Sequence, residues 1–318
     1  LRRIRSPPGA TAFETLSATR GRSKAIAPAR LTDNRHHTQT VDRSFRIAPE
    51  PHLKIATWNV NSLSIRLPQV LDWLASNPVD VLCLQELKLT DDKFPLQALE
   101  QAGYAHCAVF GQKTYNGVAV ISRHPLSHVL RNIQGLADEQ ARLLTVTVHA
   151  PGAELRLVNG YFVNGQEPGS EKFAYKMHWL QGLQQHLAAE IAQALPVVLV
   201  GDFNITADDR DTHDPQGLKE TIHHTTEERE AFARLLALGM VDAFRLFEQP
   251  EKSYSWWDYR EMAFRRNKGL RIDHILVSQS LRQQVASCTI DRQPRKNERP
   301  SDHAPVIVEL ADGAPSSA

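Results

Sequence analysis

The sequence predicts an α/β fold in which two packed β-sheets lie between outer helices. Short β-rich apolar runs outnumber helical patterns across residues 53–310, which argues against a simple strand–helix alternation. Nearly all of these runs also end in a polar residue, as strands do where a sheet opens onto a site.

In chain order, Leu53 to Trp58 reads as a strand, and LPQVLDWLAS (67–76) as a helix with Leu67, Val70, Leu71 and Leu74 at helical spacing. Val79 to Gln85 is short and apolar enough for a buried strand. Further strands are expected at 117–122, 143–149, 155–162, 197–202, 272–278 and 306–310. Helices are expected over 173–194 and, after the capping sequence TTEE (225–228), through Leu238.

The chain has 318 residues, 42% of them hydrophobic, which is enough for a sizeable core and excludes a disordered protein. The longest apolar runs are interrupted, at Asp80 and Pro196, far short of the roughly 18 apolar residues a membrane span needs. Three cysteines without CxxC spacing argue against a disulfide framework or structural zinc and fit a reducing compartment. Cys83, inside an apolar run, is expected to be inert core.

Charge is unevenly placed. Residues 1–52 hold ten basic and four acidic side chains, net +6, and the other 266 residues 27 basic and 32 acidic, net −5. The first segment is also rich in Pro, Ser and Thr and is expected to be a disordered basic extension. An organelle transit peptide, a basic arm for nucleic acid, and a stretch outside the true reading frame all fit it; the chain opens on Leu1, and the first strand signal comes at Leu53. A secretory signal does not fit, because no apolar region follows the arginines. Residues 53–310 are expected to form the catalytic domain and residues 311–318 a flexible tail.

The strand-end residues carry the chemistry. The first strand runs into Asn59 and Asn61, the second into Gln85 and Glu86, later ones into Asn159 and Tyr161 and into Asp202 and Asn204; Asp273 interrupts an apolar run, and Asp302 and His303 precede the last strand. Singly, each has a structural reading as a cap or Asx turn. Together, carboxylates and asparagine amides with a single histidine describe metal-assisted phosphodiester hydrolysis. Glu86 and Asp302 are hard oxygen donors suited to Mg²⁺ or Mn²⁺. A separate carboxylate must deprotonate water, and an imidazolium held by a second carboxylate can donate to the phosphate.

KIATWNVNSL (54–63), DVLCLQELK (80–88), NGVAVIS (116–122), VNGYF (158–162), VGDFN (200–204), SWWDYR (255–260), GLRIDHILVS (269–278) and RPSDHAPV (299–306) together resemble the bacterial exonuclease III family of abasic-site endonucleases, a branch of the endonuclease/exonuclease/phosphatase superfamily. The resemblance covers residues 53–310. It implies a DNase I-like, four-layer α/β sandwich with two mixed β-sheets flanked by helices. It further implies that Glu86 binds the metal with Asn61 and Asp302 nearby, and that Asp202, oriented by Asn59, activates the water. Asn204 would bond the scissile phosphate, Asp273 would hold His303 against it, and Tyr161 would sit near the leaving group. The implied activity is incision 5′ to abasic sites with 3′-to-5′ exonuclease and 3′-phosphatase action on duplex DNA, by a cytoplasmic bacterial monomer. Tyr161 separates this branch from DNase I-like relatives, which usually have His there. Val163-Asn164 replaces the family's usual Pro then Asn or Gln, which puts rate or substrate preference in question rather than chemistry.

A net charge of −5 requires DNA affinity to come from local basic positions. Candidates are Lys113, Lys172, Arg265, Arg266, Lys268 and Arg271, with Asn164 beside them. Family spacing places Trp256, with Leu270 and Ile272, around an extruded abasic sugar, Trp257 being the alternative wall. His223 and His224, adjacent on a loop with no third ligand, are expected to be solvated.

Overall fold

In the computed structural model, residues 51–311 are described; the expectations for residues 1–50 and 312–318 lie outside them. The first sheet contains β1 (Pro51–Asn59), β2 (Val81–Gln85), β3 (His106–Phe110), β4 (Val118–Ser122), β11 (Val285–Ile290) and β12 (Val306–Ala311). The second contains β5 (Leu126–Arg131), β6 (Leu143–Ala150), β7 (Ala153–Tyr161), β8 (Val197–Asp202), β9 (Met240–Asp242) and β10 (Asp273–Ser278). Strand orders are β11-β12-β1-β2-β4-β3 and β5-β6-β7-β8-β10-β9. Both sheets are mixed, since β1–β2 and β7–β8 are parallel and the other pairs antiparallel.

Alternate residues of each central strand enter different cores. Leu53, Ile55, Val81 and Cys83 meet Leu155, Leu157, Val198 and Val200 between the sheets. Ala56, Trp58, Leu82 and Leu84 point outward to helix α1 (Leu63–Ser76) and the short α2 (Leu96–Gln101). On the far side, Val197, Leu199 and Leu276 pack under α3 (Glu171–Ile191) and α4 (Thr226–Ala237). Both faces of these strands are therefore covered, which is why they read as unbroken apolar runs. The result is the expected four-layer sandwich. Cys83 is fully buried, and burial holds its thiol well above the usual range.

The last strand reaches Ala311, one residue into the stretch expected to be a tail, where it pairs with Pro51. Helix α4 opens on a capping box: Thr225 Oγ1 accepts from Glu228 N, and Glu228 Oε2 from Thr225 N. No helix among the described residues is long and apolar enough to cross a membrane.

Candidate active site

Topology brings the polar strand ends to one place. The C-terminal ends of β1, β2, β7 and β8 lie at the same end of the sandwich as the start of antiparallel β10. Asn59 pairs with Gln85, Tyr161 with Asp202, and Asp273 with Asp202. Close approach of β7 and β8 requires Gly201, at φ 142, because a Cβ there would collide with the carbonyl of Gly160. Gln85 and Asn159, by contrast, are fully buried and join the two sheets: Gln85 Nε2 donates to Asn159 Oδ1 at 2.7 Å, and Asn159 Nδ2 to the carbonyls of Leu84 and Ala119.

Asp202 is 2% exposed. Its Oδ2 accepts from Asn59 Nδ2 at 2.9 Å and its Oδ1 from the Asn204 N–H at 3.0 Å. Burial pushes its carboxyl up to about 7, against the opposing pull of His303. His303 Nδ1 faces Asp273 Oδ2 at 2.9 Å, and its Nε2 lies 3.7 Å from Asp202 Oδ2. Burial alone would lower the imidazole, but Asp273, Asp202 and Asp302 outweigh it and hold the ring protonated up to about 10. Asn204 donates from Nδ2 to the Phe162 carbonyl at 3.1 Å and sits at φ 51, a left-handed conformation that Asn tolerates.

A second cluster surrounds Glu86. Tyr161 Oη donates to Glu86 Oε1 at 2.8 Å, and burial, then Glu86 and Asp202, raises the phenol well above its ordinary range. Asn61 Nδ2 donates to Asp302 Oδ1 at 2.9 Å, and Asp302 Oδ2 accepts from the Trp256 indole at 2.9 Å. Lys88 Nζ lies 2.6 Å from Asn61 Oδ1 and 3.6 Å from Glu86 Oε1. Asn61, Glu86 and Lys88 all have positive φ, near 45–56°, uncommon for Glu and Lys and typical of backbone held in place at a site.

The Glu86 cluster fits a divalent cation. Its donors are hard oxygens, Glu86 remains 18% exposed, and an ammonium already rests among them. Asp202, Asp273 and His303 also bring ligand atoms within 4.8 Å of one another. In that group both ring nitrogens of His303 face carboxylates.

Several side chains lie elsewhere than expected. Arg271 is 1% exposed and bridges Asp211 and Asp242, with Nε–Oδ1 2.6 Å and Nη2–Oδ2 2.8 Å, so it is a core ion pair and unavailable to DNA. Ile272, just before β10, is 2% exposed and is not part of the cavity that Trp256 and Leu270 line. Trp256 and Leu270 do line a cavity of about 550 Å³, while Trp257 is fully buried against Tyr254 and Ala304. His223 and His224 line the same cavity rather than projecting into water. His223 Nδ1 faces the Asn204 carbonyl at 2.6 Å and burial pushes the ring down to about 3; His224 is 3% exposed. Lys172 and Asn164 line a second cavity of about 530 Å³ with Arg142 and Tyr115, and Asn164 Nδ2 also donates to Asn204 Oδ1 at 3.2 Å. Ser301, which the sequence offers only as part of a strand cap, donates from Oγ to the Asn59 carbonyl at 2.6 Å, and Lys88, legible only as a motif residue, reaches Asn61 Oδ1.

A two-sheet sandwich with a buried Asp–His–Asp group beside a cluster of oxygen donors defines a phosphoester hydrolase. The chain belongs to the endonuclease/exonuclease/phosphatase family, whose model matches residues 56–303. It is 34% identical over 267 residues to exodeoxyribonuclease III of Haemophilus influenzae, covering 81% of this chain and all of that relative. Among solved structures, it is 46% identical to a 3′-5′ exonuclease (NExo) from Neisseria meningitidis, with a TM-score of 0.78 over 81% of this chain and all of the other. It is 34% identical to an AP endonuclease from Archaeoglobus fulgidus, with a TM-score of 0.76 over 81% of this chain and 99% of that one. The protein is a DNA repair nuclease of a metal-dependent family.

Proposed function

We propose that the protein uses Mg²⁺ or Mn²⁺ to hydrolyse phosphoesters at the 3′ ends of duplex DNA, removing 3′-phosphates and nucleotides in the 3′-to-5′ direction. The observation that carries this reading is the pairing of Asp202, held by Asn59, with His303, held by Asp273, 3.7 Å apart. Asp202 is a base poised near neutrality, suited to take a proton from an attacking water. His303 donates from Nε2 to a non-bridging phosphate oxygen, where charge builds in the transition state. Asn204, with a second amide hydrogen to spare, orients the same phosphate, and Tyr161 lies near the leaving oxygen. Glu86, Asn61 and Asp302 would hold the cation, which when bound would supply neutralisation of phosphate charge.

The nuclease named a 3′-5′ exonuclease shares more identity with this chain than the AP endonuclease does, which supports 3′-end work as the main activity. A second reading, incision 5′ to abasic sites, is favoured by the cavity walled by Trp256 and Leu270, whose apolar surfaces suit a sugar lacking its base. DNA reaches the site past the exposed Lys113, Lys172, Arg265, Arg266 and Lys268. Residues 53–310 are taken as the catalytic domain, with the sheet pairing extending to Pro51 and Ala311. The test is a side-by-side assay on a duplex with one abasic analogue, a recessed 3′ end and a 3′-phosphate, with and without chelator. Chelator-sensitive 3′-phosphate removal is expected. Chelator-resistant cleavage, or activity on phosphomonoesters outside DNA alone, would overturn the reading.

A further inference from the structure

Lys176, on α3, is fully buried, and its ammonium spends all three donors on one end of the site. Its Nζ donates to the carbonyl of Asn204 at 2.7 Å, to that of Asn164 at 3.1 Å, and to Glu228 Oε1. Glu228, on α4 and equally buried, also accepts from the His223 N–H at 3.1 Å, and His223 Nδ1 returns to the Asn204 carbonyl at 2.6 Å. The two asparagines are joined through their side chains, Asn164 Nδ2 to Asn204 Oδ1 at 3.2 Å.

We infer that Lys176 is a positioning residue for the reaction: its ammonium fixes the left-handed backbone of Asn204 and thereby aims that side chain at the phosphate. The inference rests on the reading of Asn204 as a phosphate ligand. Two features set Lys176 apart from an ordinary core ion pair. Buried pairs are commonly replaced by apolar side chains of similar volume without loss of stability, so stability alone does not call for one here. Both carbonyls that Lys176 engages also belong to residues whose side chains meet at the site, and Asn204 is held at φ 51. Glu228 compensates the ammonium's charge and ties the His223 loop to the same point. The phosphate site and the wall of the neighbouring cavity are therefore set by one buried group.

The test is a double-mutant cycle on 3′-phosphate removal, with melting temperature read in parallel. Lys176→Met alone should lower the melting temperature, because it strands a buried carboxylate, and Lys176→Met with Glu228→Gln should recover most of it, because the amide removes the charge and keeps an acceptor for the cap of α4. The paired variant should keep KM within a few fold, yet lose about 10- to 100-fold in kcat, the scale of a misplaced catalytic group. In an Asn204→Ala background the paired change should cost less than about twofold, because residues acting as a unit are non-additive. Recovery of kcat along with stability, or a full additive loss in the Asn204→Ala background, would overturn the inference. Independently, Glu228→Gln leaves Lys176 with N–H donors for both carbonyls, charged or neutral, and should keep kcat within a few fold; a folded Glu228→Gln protein as impaired as Asn204→Ala would also overturn it. Failure of the underlying reading shows separately, as wild-type kcat in Asn204→Ala alone.

Discussion

Asn59 Nδ2 donates to Asp202 Oδ2 across 2.9 Å, although one residue ends a strand of the first sheet and the other a strand of the second. The bond fixes the orientation of a buried carboxylate and favours its ionised form, partly offsetting the effect of burial. Asn59→Ala should therefore lower kcat and raise the Asp202 pKa above about 7. The base must be deprotonated to act, so the acidic limb of the pH–rate profile should move to higher pH. An unmoved limb would remove Asn59 from this role.

Glu86→Gln tests the cation site. One ligand oxygen and one charge are lost, so most Mg²⁺-dependent activity should go while the melting temperature is retained, and Mn²⁺ should restore part of it. Unchanged turnover that remains chelator-sensitive would move the cation elsewhere.

Arg271 and Asp242 bear on stability. Arg271→Met leaves Asp211 and Asp242 buried without their shared partner, at a cost of about 3–5 kcal/mol. Because Arg271 is buried, the salt dependence of DNA binding should not change. Burial works against the Asp242 carboxylate, but Arg271 holds its pKa below the ordinary value. That stabilisation is full above the unfolded carboxylate pKa of about 3.9 and is lost as pH falls through the folded value. Asp242→Asn should accordingly flatten the acid side of the stability–pH curve, measured by urea unfolding. A weaker salt slope in folded Arg271→Met would return this residue to the DNA surface.

Trp256→Ala removes a wall of the cavity and one donor to Asp302. Abasic incision should fall more than 3′-phosphate removal, because the smaller substrate depends less on that wall. The ratio of the two rates at fixed Mg²⁺ and salt is the measurement; an unchanged ratio would leave the cavity without a role in sugar selection.

The sequence displayed the interior of both sheets and not their borders. β1, β2, β8 and β10 are covered on both faces and stand out as apolar runs. The strands it failed to show, β3, β5, β9 and β11, are the four sheet edges, where sequences such as LSHVLR and VASCTI mix exposed polar residues with half-buried apolar ones. Site residues were legible because a carboxylate or amide at the end of an apolar strand is out of place unless chemistry needs it. Arg271 was misread for the converse reason: a basic residue in a Lys- and Arg-rich segment looks solvated, and its partners Asp211 and Asp242 are 60 and 29 residues away in the chain. His223 and His224 were misread likewise, since only the folded loop shows the carbonyl and the cavity they face.

The most direct test of the account is single-turnover cleavage by Asp202→Asn, with DNA affinity measured on the same preparation. An amide cannot take a proton from water, so the cleavage rate should fall about 10²- to 10⁴-fold. Affinity should hold or rise as a negative charge leaves the site. A variant that binds DNA poorly but cleaves what it binds at the wild-type rate would show that Asp202 is a binding residue and would contradict the account.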